Sequence, residues 1–168
     1  MKILKGHELQ NLKGKNAVIT GGSKGIGRSI CLALANAGAN IFVLDINKDK
    51  GLKTVEEILK FNVEAYFFPI NVAKESEWIS FINFLEEKNK SIDILVNNAG
   101  IWLGKSIENV SFEEYQKLIS INLTGVFLGV KYLTPYLIKA GEKTKSGSSV
   151  INLSSVAGLV GSQLDPLY

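Results

Sequence analysis

Only one cysteine, one histidine and one methionine occur among the 168 residues of this chain. The single Cys31 rules out an internal disulfide and a cysteine-built metal cluster, and its place among Ile30, Leu32 and Leu34 assigns it to core packing. His7 precedes the first strand, and neither a catalytic triad nor a zinc site can be built on it, so no metal site is expected. The roughly 18 consecutive apolar residues of a membrane span never occur, and Met1 to Gln10 holds no signal-peptide core. A cytoplasmic chain without a membrane partner is the expectation. Charge of one sign is also scarce: 19 basic residues face 16 acidic ones, and no window collects Lys and Arg densely enough for nucleic acid or a lipid surface. What is plentiful is the apolar fraction, 46%, which supplies one sizeable core and hence one domain, residues 1–168.

The stretch that organises the chain is Asn16-Ala-Val-Ile-Thr-Gly21-Gly-Ser-Lys-Gly25-Ile-Gly27-Arg28. A short apolar run, Ala17 to Ile19, ends in a glycine cluster, and Ile26, Ile30, Ala33, Leu34 and Ala37 then recur at helical spacing. This is strand, tight turn, helix. Glycine permits positive φ and close approach of backbone N–H groups to a ligand, while the helix start turns unpaired N–H groups and a positive dipole end toward an anion. A phosphate site is the reading; a glycine-rich turn with no ligand is its bland alternative.

The same alternation repeats downstream. Ile41 to Asp45 is an apolar strand closed by an acid, and residues 48–60 form a helix with Leu52, Val55, Ile58 and Leu59 on one face. Glu64 to Phe68 is β-prone. Lys74 to Lys88 carries Trp78, Phe81, Ile82 and Leu85 at i, i+3, i+4, i+7, a helix whose aromatics belong to the core. Asp93 to Asn97 is the fourth strand. Ser111 with Glu114 forms a capping box, and a long helix runs from Phe112 toward Lys139, interrupted near Asn122, Gly125, Gly129 and Pro135, where a bend or a site is expected. Ser149 to Leu153 is the fifth strand, followed by a loop to Tyr168.

Strands that alternate with helices and are apolar along their length imply a doubly wound α/β fold, a Rossmann-type parallel sheet covered on both faces, here truncated after the fifth strand. Such sheets take ligands beyond the carboxyl ends of their strands, at the switch point between the first and fourth. Five unusual features sit at those ends: Gly21 to Gly27, Asp45, Asn71, Asn97 to Gly100, and Ser155.

Two phosphate motifs compete over the opening stretch. Gly22 to Ser29 is one residue from a P-loop, with Arg28 where its Lys should stand, and a nucleotide hydrolase could use Asp45 as a magnesium ligand. That reading leaves the fourth and fifth strand ends without a role. The other motif, Thr20-Gly21-x-x-x-Gly25-x-Gly27, resembles that of the short-chain dehydrogenase/reductase family. The resemblance extends over residues 14–168 through Asn97-Asn98-Ala99-Gly100, Asn122, Asn152-Leu-Ser-Ser155 and Tyr168, and Ser155 stands thirteen residues before Tyr168, the family's Ser-to-Tyr spacing.

The resemblance implies hydride transfer between a nicotinamide cofactor, NAD or alternatively NADP, and an alcohol or ketone. Tyr168 would be the acid or base, Ser155 would hydrogen-bond the reacting oxygen and Asn122 would order a relay water. Gly21, Ser23, Lys24, Gly25, Ile26, Gly27, Asp45, Asn71, Val72, Asn98, Ala99 and Gly100 would bind the cofactor, and the complete protein would be a homo-oligomer. Two departures stand out. Asn71 replaces an acid that would accept the adenine amino group, and the chain ends before the Lys that follows the family's Tyr by four residues. The resemblance therefore reads the chain as an inactive fragment of an oxidoreductase; a stand-alone nucleotide-binding or interaction module is the alternative.

Asp45 decides the cofactor expectation. It ends the second strand 18 residues after Gly27, where a carboxylate accepts from ribose hydroxyls and repels a 2′-phosphate, whereas Lys24 pulls the other way. Titration of the complete protein should show NAD(H) binding more tightly than NADP(H), with Asp45→Ala narrowing the gap; tighter NADPH binding would overturn the assignment.

Overall fold

A computed structural model describes residues 11–88, 90–144 and 147–161. His7 and Tyr168 lie outside them. Within the described residues, strands β1 (Asn16–Thr20), β2 (Asn40–Asp45), β3 (Ala65–Pro69), β4 (Ile94–Asn97) and β5 (Ser149–Asn152) alternate with helices. The helices are α1 (Gly25–Asn36), α2 (Lys48–Leu59), α3 (Glu75–Glu87), α4 (Phe112–Ile119), α5 (Gly125–Gly141) and a single turn, α6 (Ala157–Val160). All strand pairs are parallel, and the order is β3-β2-β1-β4-β5, so the winding reverses between β1 and β4. This is the doubly wound sheet that the sequence implies, with its crevice at the expected place.

Period-two alternation along β1 divides the core. Val18 joins Phe42, Leu44, Leu95, Trp78, Phe81 and Leu133 on the face covered by α3 and α5. Ala17 and Ile19 join Ile41, Val43, Val96, Cys31 and Ile58 on the face covered by α1 and α2. Both faces of the central strands are therefore dry, which is why those strands read as unbroken apolar runs. Phe42 links the first layer to an aromatic group, stacking on Tyr66 at 5.0 Å and meeting Phe81 edge-on at 6.3 Å. At the opposite rim, Asp93 accepts from Lys15 Nζ at 2.8 Å and from the Asn16 amide at 2.9 Å, locking the starts of β1 and β4 together.

The structure shifts several expectations. The helix that follows β1 buries Gly27, Cys31 and Ala35, while Ile26 is exposed. Small residues face the sheet because the helix lies close on it, and the larger Ile30 and Leu34 flank that contact half-buried. In α2 the buried residues are Gly51, Thr54 and Ile58, with Leu52 and Leu59 exposed. A Cβ on Gly51 would come within 2.1 Å of the Phe67 ring, so the closeness of helix to strand again selects the smallest residue. The reading of α3 holds: Trp78, Phe81 and Leu85 are buried.

The interruption expected in the long helix is a π turn, Ser120–Thr124, which joins α4 to α5. The helical span Phe112–Gly141 is long and apolar enough to cross a membrane by length and composition, yet Leu118, Leu128, Leu133 and Leu137 are buried within this fold. Ser111 caps it as foreseen, accepting from the Glu114 amide while Glu114 accepts from the Ser111 amide.

The two edge strands depart from two-sided burial: β3 is half-buried, and β5 departs furthest. All four residues of β5 are exposed, as are Leu153, Val156, Leu159 and Val160 beyond it. An apolar edge strand of this kind templates association. A polypeptide of residues 1–168 alone should aggregate or stay partly molten, read by sedimentation and near-UV circular dichroism; a monodisperse species with a cooperative melt would contradict this.

Candidate functional site

The site starts from the end of β1. Thr20, 2% exposed, donates its hydroxyl to the Val96 carbonyl at 3.4 Å and accepts from the amides of Asn98 and Ala99, both at 3.0 Å. Asn98 Nδ2 returns the link, donating to the carbonyls of Thr20 at 2.9 Å and Gly21 at 3.2 Å. The ends of β1 and β4, which flank the crevice, are thus sewn together by two side chains. Thr20 opens the glycine motif in the sequence but is given no role there; the signal for one is a hydroxyl residue closing an apolar strand directly before glycine.

Over this junction the loop turns into α1. Gly21 and Gly25 take φ of +66° and +53°. A Cβ on Gly27 would sit 2.1 Å from the Gly21 carbonyl oxygen and 2.4 Å from Asn98 Nδ2, so only glycine allows the helix to start this close to the strand. A Cβ on Gly25, by contrast, meets nothing within 4 Å, which leaves that side of the loop open to a ligand. Lys24 caps α1 with no side-chain bond, and no acidic residue occupies the first turn. The first N–H groups and the positive end of the helix dipole are available to an anion.

Asp45 faces this loop from β2. Its Oδ2 accepts from the Ser23 amide at 3.0 Å and its Oδ1 from the Asn47 amide at 2.9 Å. Each oxygen keeps a further lone pair, so the carboxylate can still accept from a ligand hydroxyl. Ser23 Oγ is buried and has no hydrogen-bond partner. An orphaned buried hydroxyl beside an uncapped helix start, a carboxylate and an open glycine face fits a nucleotide's phosphate and ribose. Arg28, at the P-loop Lys position, is paired instead with Glu57 of α2. Cys31 lies beneath the loop, and burial pushes its thiol up to about 12, the behaviour of a packing residue.

At the end of β3, Asn71 Oδ1 accepts from the Ala73 amide at 3.1 Å, and its own amide donates to Glu77 Oε2 at 2.5 Å. The side chain expected to meet adenine therefore also holds its own turn. Val72 is buried, and its carbonyl accepts from Trp78 Nε1 at 2.9 Å.

Beyond β4, Asn122 in the π turn grips Ile101 at both backbone groups: its Oδ1 accepts from the Ile101 amide at 2.8 Å, and its Nδ2 donates to the Ile101 carbonyl at 2.9 Å. A Cβ on Gly100 would touch Asn122 Oδ1 at 3.4 Å. Each polar atom of this side chain makes one bond to protein, which leaves a lone pair on Oδ1 and a proton on Nδ2. Ser155 follows β5, which is held against β4 by the Leu153 amide on the Asn97 carbonyl at 3.0 Å and by Asn97 Nδ2 on Asn152 Oδ1 at 2.9 Å. Ser155 Oγ accepts from the Ala157 amide at 3.2 Å, leaving its proton free to donate. The glycine loop, Asp45, Asn98 to Gly100 and Asn122 thus form one connected group; Ser155 stands on the next strand end, and Tyr168 lies outside the described residues.

A doubly wound parallel sheet with an open glycine turn at its switch point is a Rossmann-like architecture. The family model described as short chain dehydrogenase matches residues 15–168, and the chain belongs to that family. It is 33% identical over 147 residues to a cyclopentanol dehydrogenase of Comamonas sp. (strain NCIMB 9872), covering 88% of this chain and 57% of that protein. It is 37% identical over 150 residues to an NADP-dependent (R)-specific alcohol dehydrogenase of Lentilactobacillus kefiri, covering 89% of this chain and 58% of that one. A Sinorhizobium meliloti 1021 protein assigned as a short-chain alcohol dehydrogenase superposes with a TM-score of 0.86 at 30% identity, over 95% of this chain and 61% of that chain. The chain thus spans somewhat over half the length of these relatives.

Thr20→Val keeps the shape and removes the acceptor of two amides, leaving those donors without their partner at a cost of about 1–3 kcal/mol. Denaturant unfolding of the complete protein should register that loss together with weaker nucleotide binding; unchanged stability would show that the junction carries no weight.

Proposed function

We propose that the complete protein is an NAD(H)-dependent oxidoreductase that interconverts an alcohol and a ketone, and that residues 1–168 form one nucleotide-binding domain carrying most of its site. The observation that carries this reading is the Thr20–Asn98 junction under an open glycine loop, with Asp45 beside it. Gly21, Lys24, Gly25, Ile26 and Gly27 would hold the pyrophosphate side, Ser23 and Asp45 the ribose, Asn71 and Val72 the adenine, and Asn98, Ala99 and Gly100 the inner wall. The Lentilactobacillus relative is NADP-dependent by name, so membership of the family leaves the cofactor open, and Asp45 favours NAD.

The bound nicotinamide ring would accept hydride from the alcohol carbon or return it to the ketone carbon. The hydroxyl of Tyr168 would exchange the proton with the substrate oxygen, and Ser155 would donate a hydrogen bond to that oxygen. A phenol with an ordinary pKa of about 10 needs cationic neighbours to serve as a base near neutral pH. Asn122 would fix Ile101 and thereby the floor of the substrate side. Relatives named for cyclopentanol and for (R)-specific alcohol dehydrogenation support an alcohol or ketone as the substrate class. A cytoplasmic homo-oligomer completes the reading: exposed Phe112, Leu123, Phe127 and Ile138 along α4 and α5 offer an apolar contact surface. No nucleic-acid or membrane partner belongs to it.

In the complete protein, Tyr168→Phe should lower turnover by about a hundredfold or more while leaving cofactor affinity within twofold, because the ring stays and only the proton donor goes. Turnover that survives the substitution would falsify the mechanism, and cofactor binding without turnover in the parent would favour the binding-module alternative.

A further inference from the structure

The chain has two tryptophans, and their surroundings are opposite. Trp78 is fully buried and its Nε1 is bonded to the Val72 carbonyl. Trp102 is 65% exposed. A large apolar ring left in water needs a reason, the more so at the ligand end of a doubly wound sheet.

The backbone that leads to Trp102 is among the most tightly held in the site. Asn98 and Ala99 hang from the Thr20 hydroxyl, and Ile101 is gripped at both its N–H and its C=O by Asn122. The ring itself leans on the turn at Gly104, whose φ is +66° and whose Cβ, if present, would lie 3.3 Å from Trp102 Cζ2 and Cη2. The indole is thus an exposed flat surface seated on a turn shortly beyond the end of β4. Its charged neighbours on the same loop are accounted for. Lys105, the single cation between Asn98 and Ser111, is paired with Glu114 at 2.6 Å, and Glu108 accepts from the Ser106 hydroxyl at 2.7 Å. No spare cation lies on this loop to attract a carboxylate or phosphate on the substrate.

We propose that Trp102 contacts the substrate and selects for neutral alcohols or ketones that carry an apolar ring, which packs flat against the exposed indole. This rests on the oxidoreductase reading above for its chemistry, but the contact itself is a binding property. Desolvating the free face of an indole against a hydrocarbon ring is worth about tenfold or more in affinity, whereas a short acyclic chain covers little of it.

The test compares cyclohexanol with 2-propanol, both secondary alcohols, on the complete protein. Trp102→Ala should raise KM for cyclohexanol about tenfold, leave kcat/KM for 2-propanol and the affinity for NAD within twofold, and Trp102→Phe should recover most of the loss. A second readout needs no turnover. The acrylamide quenching that disappears in Trp102→Phe reports the Trp102 indole, and cyclohexanol should shield it in the presence of NAD while 2-propanol does not. Equal losses for both alcohols, or an indole that cyclohexanol fails to shield, would overturn the proposal. An indole already inaccessible to acrylamide in the ligand-free complete protein would overturn it as well. Shielding without turnover of either alcohol would uphold the contact and bring down the oxidoreductase reading instead.

Discussion

The site depends on a single small junction, the exchange of hydrogen bonds between Thr20 at the end of β1 and Asn98 beyond the end of β4. Connections that leave neighbouring strands for opposite faces of the sheet open a crevice beyond the strand ends, where backbone groups are no longer paired by the sheet ladder. Here those groups are paired by a hydroxyl and an amide rather than by water. The amide Nδ2 of Asn98 lies so near the glycine loop that a methyl group at Gly27 would collide with it. The junction therefore fixes at once the width of the crevice, the entry of α1 and the identity of a glycine seven residues further along.

The same device recurs outward from that point. Asparagine side chains tie β4 to β5 through Asn97 and Asn152, and the β4 extension to the long helix through Asn122 and Ile101. Asp45 ties β2 to the loop through the Ser23 amide. Each of these side chains binds backbone or another amide, so each holds a geometry that apolar packing alone, being non-directional, would leave loose. The layers of Val, Ile, Leu and Phe supply the cohesion, and the polar ties at one rim supply the position.

That division explains what the sequence disclosed. The alternation of elements, the parallel sheet and the switch point were legible because runs such as Ile41 to Leu44 are apolar without interruption, and a strand dry on both faces has little choice of residue. The glycine loop was legible because positive φ and close approach leave a mark in composition. Helix faces were less so: in α1 the residues nearest the sheet are Gly27, Cys31 and Ala35, and a hydrophobicity pattern weights Ile26 and Ile30 above them. Closeness of packing selects for smallness, which periodicity does not count. The roles of Thr20 and of the Asn97–Asn152 pair depend on strand register, which a single sequence does not display. Asn122 was visible as an interruption of a helix, but its grip on Ile101 joins residues 21 apart and became apparent only with the π turn in place.

The buried sulfur beneath the glycine loop has a chemical corollary. Cys31 Sγ lies 3.1 Å from where a Cβ on Gly22 would stand, the residue is fully buried, and that burial disfavours the thiolate and pushes the thiol well above its ordinary range. Alkylation and oxidation both proceed through the thiolate. The native fold is consequently shut to such reagents at this atom, and any modification there must pass through molecules in which α1 has lifted from the sheet. The single thiol among the described residues is thus a clock for the breathing of the loop above it, and whatever fastens that loop slows the clock.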